Sequence, residues 1–562
     1  MNRRQFLRPR KIVPSTIDLN TTAEGNNPEV KKRTNSGLSK YSGTWSDKER
    51  MHLLRRTTFG PSMTDFKSFQ SKTMDQCITA LLDTSNLSIA PPVNNYQNRV
   101  QDPNVEYGKT WVDAPFDTAL EGVRKNSLKC WLWSIGAEGT GTIFEKMWLF
   151  WHNHFATEMT AVPSASASYY YFKALMDNSL GNFKALTRAI TLDPAMLYYL
   201  NGRLNTKNAP DENYARELQE LFTLGKGTDS KFTEDDVKAA ARVLTGFTID
   251  FRTTPFSSLF LPNKHDSTDK EFSDFFGNTV VKGRSTSTGG YDELDDLLDM
   301  IFSVEEVSKY ICRRLYRYFV YYEIDSNAES NVIEPLALIF RNNNFDIKPV
   351  LETLLSSEHF YDTWNQACLI KDPFSHTAGY VKQFKPAFPG NTEYENLYKA
   401  YYLGWAYSTI LQMDLGDPPS VSGWEAWYQI PLYQRFWITS DSLPKRNEYQ
   451  DYLLWVGYNI GTEKLLVDPW TLTVQFNTPS DPNKLITEAT QFLLPFELSN
   501  DQIISLKEVI LPGGIPDYNW SDDYQAAIDP SNSNHSTALT NITLKLKLLY
   551  KAIMNLSEYQ LS

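Results

Sequence analysis

The sequence predicts a mainly α-helical, multi-helix globular protein with a small β-hairpin excursion near residues 245–290. Apolar residues recur at helical spacing over most of the chain, as in LDDLLDMIF and YICRRLYRYFV. Between residues 245 and 290 this pattern gives way to short β-prone runs separated by turn residues. Of the 562 residues, 41% are apolar and 22% are charged, which is typical of a folded globular chain.

The first 45 residues are predicted to form a disordered leader, because they are polar and rich in Gly, Asn and Ser. The opening MNRRQFLR resembles a twin-arginine export motif through Arg3 and Arg4. A working export signal also needs an apolar segment of roughly 7–15 residues, whereas residues 9–36 are polar. A flexible basic tail and an atypical export signal are therefore both open interpretations.

Ordered structure is predicted to begin at Ser46, where Ser-Asp-Lys-Glu makes a capping box before MHLLRR. A second helix start of this kind is predicted at Thr233. Helices resume after the hairpin segment, and KPAFPGN, which follows residue 384, is the best candidate hinge. We therefore expect a helical main lobe over residues 46–384 and a C-terminal helical lobe over residues 385–562.

Composition and missing motifs exclude several classes of function. The 55 basic and 67 acidic residues give a net charge of −12, so we expect no nucleic-acid partner, which would need a basic surface. No apolar run approaches the roughly 18 residues of a membrane helix, so no transmembrane segment is expected. The sequence lacks GxSxG, GxxxxGK[ST], HExxH and a GxGxxG after a strand. Serine-hydrolase, nucleotide-driven and zincin activities therefore have no motif to support them.

Three of the seven histidines are candidate metal ligands. His152 and His154, in WHNHF, can chelate one ion only from an extended backbone, because residues two apart on a helix point about 200° apart. The breaker-rich TAVPSASAS that follows favours a non-helical backbone at this motif. His265, in the turn-rich PNKHDS, is the third candidate. Histidines that are merely hydrogen-bonded within the core are the competing interpretation.

The helix DENYARELQEL supplies candidate carboxylates. Glu217 and Glu220 fall on one stripe of this helix together with Asn213. With two histidine nitrogens, such carboxylates would suit a divalent transition metal that activates water or oxygen. Alternatively, Arg216 pairs with Glu212 and Glu220, and this face of the helix is only solvated.

Long sequence motifs are distributed over roughly residues 46–562. They are HLLRRTTFGPS, EKMWLFWHNHFAT, NFKALTRAITLDPAMLYYLNG, NAPDENYARELQELFTLGKG, FTEDDVKAAARVLTGFTID, PNKHD, PPSVSGW and the closing LSEYQL. Together these motifs resemble the domain of unknown function 1800 (DUF1800) family, and LSEYQL resembles the tail of its Bacteroidota-type members.

The resemblance implies a largely α-helical bacterial protein that is commonly exported, often by the twin-arginine route, to the periplasm or the cell exterior. Members are commonly encoded beside a sulfatase-like family, and no reaction is established for them. This chain departs from the exported members because it lacks the apolar segment after its paired arginines. The family motif positions carried over to this chain are His52, Arg55, Arg56, His152, Asn153, His154, Asp193, Asn213, Arg216, Glu217, Glu220 and His265.

The first functional hypothesis is a metal-dependent enzyme, hydrolytic or oxidative, that acts on a cell-envelope or extracellular polymer. Its cofactor would be a divalent transition metal, with one carboxylate acting as a ligand or general base. Its predicted site residues are the metal ligands His152, His154 and His265, the carboxylates Glu217 and Glu220, and Arg216 and Arg55, which would hold an anionic substrate group.

The second hypothesis is a non-catalytic envelope scaffold that docks a sulfatase-like partner protein. In this interpretation the same polar motifs are buried networks that fix how helices pack. The high aromatic content of 14% would then supply core and interface anchors. The two hypotheses differ in whether the three histidines and a glutamate converge beside a cleft.

Overall fold

A computed structural model describes residues 33–562 of the chain. It is mainly α-helical with three two-stranded antiparallel sheets, which confirms the predicted fold class. The twin-arginine-like start lies outside the described residues. So does the rest of the predicted leader up to residue 32, whereas residues 33–45 lie against the helical body: Lys40 forms an isolated bridge with Ser357, and the Arg33 backbone N–H donates to Asp325 Oδ2 at 2.9 Å. No helix within residues 33–562 combines the length and apolarity needed to cross a bilayer.

The predicted capping box is present at the start of the first helix. Ser46 Oγ accepts a hydrogen bond from Lys48 N at 3.3 Å, and the Ser46 N–H donates to Glu49 Oε2 at 3.1 Å. The helices of this part are α1 (Asp47–Thr57), α2 (Met63–Gln70), α3 (Met74–Leu81), α4 (Glu121–Glu138), α5 (Phe144–His154), α6 (Ala165–Asp177), α7 (Phe183–Thr191), α8 (Pro194–Tyr199), α9 (Asn213–Glu217) and α10 (Glu234–Val243), with a 3₁₀ turn Gly202–Leu204 and a π-helical turn Leu218–Thr223 that extends α9.

Two hairpins occupy the segment predicted to be β-rich. Strand β1 (Phe247–Asp250) pairs with β2 (Ser257–Phe260), and β3 (Lys270–Glu271) pairs with β4 (Val280–Val281). The following helices are α11 (Gly289–Ser303), α12 (Glu305–Phe319), α13 (Ser326–Ala328), α14 (Glu334–Asn342), α15 (Ile347–Leu355) and α16 (Glu358–Tyr361), with a π-helical turn Glu329–Ile333 and 3₁₀ turns Pro262–Lys264, Asp274–Phe276 and Thr363–Asn365.

The last part of the chain is helical apart from a third hairpin that the sequence did not predict. Strands β5 (Tyr458–Ile460) and β6 (Glu463–Leu465) are three residues each, too short to show a periodic pattern. The helices are α17 (Pro373–Phe384), α18 (Tyr394–Ile410), α19 (Ser442–Asp451), α20 (Pro469–Thr473), α21 (Pro482–Leu493), α22 (Asn500–Ile510), α23 (Asp517–Ile528) and α24 (His535–Met554), with a π-helical turn Tyr452–Val456 and 3₁₀ turns Glu425–Trp427, Tyr433–Trp437, Pro512–Gly514 and Ser557–Gln560.

Helices on either side of the predicted hinge share one apolar core. Helix α18 packs directly on α4, where Gly404 lies so close to Trp133 that a Cβ at this position would be 2.0 Å from the indole ring. One connected cluster of buried apolar side chains has members from both sides of the hinge, from Met51 in α1 to Tyr559 near the end of the chain. The division into two lobes at residue 385 stays a prediction, and the packing across that point is continuous.

Helix α17 lies very close to the loop that follows α1. A Cβ on Gly379 of α17 would lie 2.2 Å from the carbonyl oxygen of Phe59, in the loop after α1. Helix α17 can therefore pack directly on this loop. The contact brings the start of α17 close to the basic last turn of α1, which contains Arg55 and Arg56.

Candidate functional site

Basic side chains line a small, partly open cavity of ≈ 50 Å³ at the junction of α1, α5, α12 and α17. The last turn of α1 contributes two arginines, α5 and α12 contribute one cation each, and the residues just before α17 contribute one lysine and one carboxylate. The segment 426–434 and the chain after residue 558 complete the wall. The charged wall residues are Arg55, Arg56, Lys146, Arg317, Lys371 and Asp372.

Lys146 is paired with a carboxylate, whereas Arg56 has only neutral acceptors. Lys146 Nζ lies 3.2 Å from Asp372 Oδ2 and also donates to Ser375 Oγ. The charge of Lys146 holds the pKa of Asp372 below its usual value despite burial. Arg56 Nη1 donates to the backbone carbonyl of Val320 at 3.2 Å, and Arg56 Nη2 donates to that of Asn365. The Lys146–Asp372 pair is charge-neutral, so the other cations carry the net charge of the wall.

Arg55 is buried and has only neutral acceptors. Its Nη2 donates to the carbonyl oxygens of Gln491 at 2.7 Å and Phe492 at 3.0 Å. Burial lowers the pKa of the guanidinium to about 9. Arg55 Nε has no hydrogen-bond partner among the described residues. Carbonyl dipoles hold this cation in place, but they do not neutralise it.

Lys371 and Arg317 also lack a carboxylate partner within residues 33–562. Lys371 Nζ donates to the Tyr559 carbonyl oxygen at 2.7 Å and lies 4.0 Å from the centre of the Tyr559 ring. Burial, followed by the charges of Arg55, Arg446 and Lys146, lowers the pKa of Lys371 to about 7. Burial likewise lowers the pKa of Arg317.

Arg446, which contacts Lys371 from behind the wall, adds more positive charge, whereas His376 lines the cavity itself. Arg446 is fully buried, and its Nη2 donates to the Lys371 carbonyl oxygen at 2.8 Å while Nη1 donates to Gln560 Oε1 at 3.2 Å. His376 Nε2 lies 3.3 Å from the Arg446 carbonyl oxygen, so this nitrogen carries the proton. Burial and nearby cations keep the pKa of His376 well below its usual value, and its Nδ1 has no partner in the described structure.

The charge of this region is therefore strongly unbalanced. Arg55, Arg56, Arg317, Lys371 and Arg446 have no carboxylate partner among the described residues, and Asp372 is already paired with Lys146. Burying several like charges without a counter-ion is costly, and the cost falls when an anion enters. The arrangement can therefore bind an anion through charge-assisted hydrogen bonds.

The backbone at the two neighbouring predicted ligands is helical, contrary to the expectation for WHNHF. Helix α5 continues through His154, so His152 and His154 cannot share one ion. His152 Nδ1 lies 3.2 Å from Tyr171 Oη, whereas His154 Nε2 lies 2.9 Å from the Phe222 carbonyl oxygen. Burial lowers the pKa of His152 to about 3, which keeps its ring neutral.

The third predicted ligand lies in a different network. His265 Nε2 is 3.0 Å from Glu293 Oε1, and its Nδ1 is 2.8 Å from the Thr245 carbonyl oxygen. Lys270 completes this buried network by pairing with Glu293. Across residues 33–562, no group of three or more His, Cys, Asp or Glu side chains is arranged to hold a metal ion. The structure thus does not bring the three histidines together.

The predicted carboxylates of α9 and its π-helical extension form ion pairs. Arg216 pairs with Glu212 at 3.0 Å and Glu234 at 2.7 Å, and it lies 3.6 Å from Glu220. This matches the solvated alternative for the helix face. Glu217 is half-buried, burial raises its pKa, and its Oε2 has no partner in the described part of the chain.

Of the predicted site residues, only Arg55 lines the basic cavity. Sequence reasoning missed Arg317, Lys371 and Arg446, which lie on separate elements far apart in the chain. The one local signal was the Arg-Arg-Leu-Tyr-Arg run of α12, where Arg317 follows the buried Leu315 and Tyr316. Nothing in the spacing of the other two residues indicates that they meet.

The fold and the cavity wall define a mainly helical protein with an electropositive cavity between its helices. The chain belongs to the family described as "Protein of unknown function (DUF1800)", whose model matches residues 52–561. No curated protein matches this chain, and no solved structure does so either.

Proposed function

We propose that this protein binds a small anion, or the acidic group of a larger ligand, in the basic cavity. The single observation that carries the proposal is a set of buried and half-buried cations without a carboxylate partner in the described structure: Arg55, Arg56, Arg317, Lys371 and Arg446. Guanidinium groups match the oxygen geometry of sulfate, phosphate and carboxylate groups. Arg55 thereby keeps the anion-holding role expected for it from the sequence.

The size of the cavity restricts the ligand. A volume of ≈ 50 Å³ accommodates a few water-sized groups, since one water needs about 10–15 Å³ on this scale. A free oxyanion or a terminal acidic group fits such a space, but the interior of a polymer chain does not. A polymeric ligand would therefore be bound through an end group or a pendant acidic group.

The metal-dependent reaction on an envelope polymer and the scaffold for a sulfatase-like partner stay predictions. The contacts around His152, His154 and His265 give neither of them further support. Anion binding is compatible with both, because an enzyme and a receptor can each use such a subsite.

Calorimetric titration of the full chain with sodium sulfate tests the proposal, with sodium chloride at equal ionic strength as the blank. Arg317→Gln should weaken sulfate binding by roughly 10–100-fold, because it removes a charged donor worth about 1.5–3 kcal/mol. Arg188→Gln is the matched control, since Arg188 is already paired with Asp295 on the surface. Equal effects of the two substitutions, or no sulfate binding by the wild type, would contradict the proposal.

A further inference from the structure

We infer that Lys371 is a nucleophilic amine that forms an imine with a small 2-oxo acid held in the basic cavity. This inference rests on the proposed anion binding and names the class of ligand. Two lysines line the cavity, and they differ in their partners. Lys146 is bound to Asp372, whereas Lys371 has no carboxylate partner in the described part of the chain.

The contacts of Lys371 hold its amine in one place. The Tyr559 carbonyl oxygen accepts one N–H at 2.7 Å, and the Tyr559 ring lies against the same nitrogen. These contacts fix the amine by a single donated hydrogen bond and an apolar surface. In the neutral amine, the nitrogen lone pair needs no further partner and is available for attack on a ligand in the cavity.

The surrounding charges favour the neutral, nucleophilic form. Arg55, Arg446 and Lys146 all act against a positive charge on Lys371, and burial acts in the same direction. A lysine whose pKa is lowered to about 7 has a neutral fraction about a thousand times larger at pH 7 than an ordinary lysine. Desolvation and neighbouring cations are the usual means of activating an amine.

The same cations select a carbonyl compound that carries a carboxylate. Arg55 and Arg317 line the cavity with Lys371, so they can bind the carboxylate while the adjacent carbonyl carbon faces the amine. In a 2-oxo acid these two groups are directly bonded, which suits a cavity of only ≈ 50 Å³. Glyoxylate and pyruvate are the smallest members of this class.

The step is balanced without any further reactant. The Lys371 nitrogen lone pair forms a bond to the carbonyl carbon, and the C=O π electrons move to oxygen. Both amine protons finally leave with that oxygen as water, and a C=N bond forms between Lys371 and the ligand. Protonation of the imine restores a positive charge next to the bound carboxylate, which stabilises the adduct.

Reductive trapping tests this inference. The full chain is incubated at pH 7 with glyoxylate and sodium cyanoborohydride, and the carboxymethylated lysines are mapped by peptide mass spectrometry. We expect Lys371 to be labelled at least about tenfold faster than Lys146, because Lys146 is held in an ion pair with Asp372, whereas Lys371 has no carboxylate partner in the described structure. Sulfate should slow labelling of Lys371 by competing for the cavity.

The outcomes separate this inference from the proposed function. If sulfate binds but Lys371 is labelled no faster than Lys146 and surface lysines, the imine is excluded and anion binding stands. If sulfate does not bind and Lys371 is not labelled selectively, both are wrong. The mapping uses the wild-type protein, so the result does not depend on whether any variant folds.

Discussion

Burial without a charged partner sets the protonation state of single residues in this molecule. Asp193 is the N-cap of α8, and its Oδ1 accepts hydrogen bonds from Ala195 N at 2.9 Å and Met196 N at 3.2 Å. Burial nevertheless raises the pKa of the Asp193 carboxyl to about 7, because two backbone donors do not replace its hydration. The family motif position Asp193 therefore has a capping role that needs no negative charge.

We expect Asp193→Asn to stabilise the protein, and increasingly so as the pH rises. The pKa of Asp193 is higher in the folded state than its ordinary 3.8. The stability that Asp193 contributes through its neutral carboxyl is therefore complete below pH 3.8 and is lost as the pH rises through about 7. Asn keeps the capping oxygen and carries no charge. Urea unfolding should show a gain that grows to roughly 4 kcal/mol between pH 4 and pH 8. A gain that does not change with pH would contradict the assigned cause.

Among the elements, α5 shows why a sequence motif can mislead. A His-x-His pair before a breaker-rich stretch suggested an extended backbone, but the helix continues through His154. Every residue of α5 is buried, including the bulky Trp148 and Trp151, so this helix lies inside the core. The two histidines then find partners on different neighbouring segments, which no local pattern can indicate.

The loop before the 3₁₀ turn Glu425–Trp427 is hydrogen-bonded to α5. The Trp424 N–H donates to Asn153 Oδ1 at 2.8 Å. Gly423 has φ +85°, and a Cβ there would lie 2.2 Å from the same oxygen. Two motifs that the sequence showed separately, WHNHF and PPSVSGW, are thus parts of one packing contact.

Gly423→Ala should therefore destabilise the protein by more than about 2 kcal/mol, from backbone strain at positive φ plus the clash with Asn153. Gly513→Ala is the matched control, because Gly513 also has a positive φ of +70° but a Cβ added there would have no described atom within 4 Å. The control should lose only about 1 kcal/mol. Chemical denaturation of both variants measures the difference, and equal losses would show that the contact with Asn153 contributes nothing.

At the scale of the whole molecule, the sequence predicts elements that depend on neighbouring residues, but it does not predict the cavity, which depends on residues far apart in the chain. The helices, the capping box at Ser46 and the hairpins after residue 245 follow from nearest neighbours along the chain. The cavity does not, because Arg55, Arg317 and Lys371 lie on three different elements that meet only in the folded core. No spacing rule connects them, and each alone reads as an ordinary surface cation.

Residues from both sides of the predicted hinge line the cavity, so we expect the two predicted lobes to unfold together. Lys146 and Arg317 precede residue 385, whereas Gln434 and Tyr559 follow it, and the apolar core is continuous across that point. We therefore expect differential scanning calorimetry to show one cooperative transition.

Sulfate at 100 times its dissociation constant should shift the whole transition upward, since such binding adds about 2.7 kcal/mol to the free energy of unfolding. Sodium chloride at equal ionic strength should not produce this shift, and Arg317→Gln should reduce it. Two transitions, of which sulfate moves only one, would show that the lobes unfold separately and that one of them alone holds the anion.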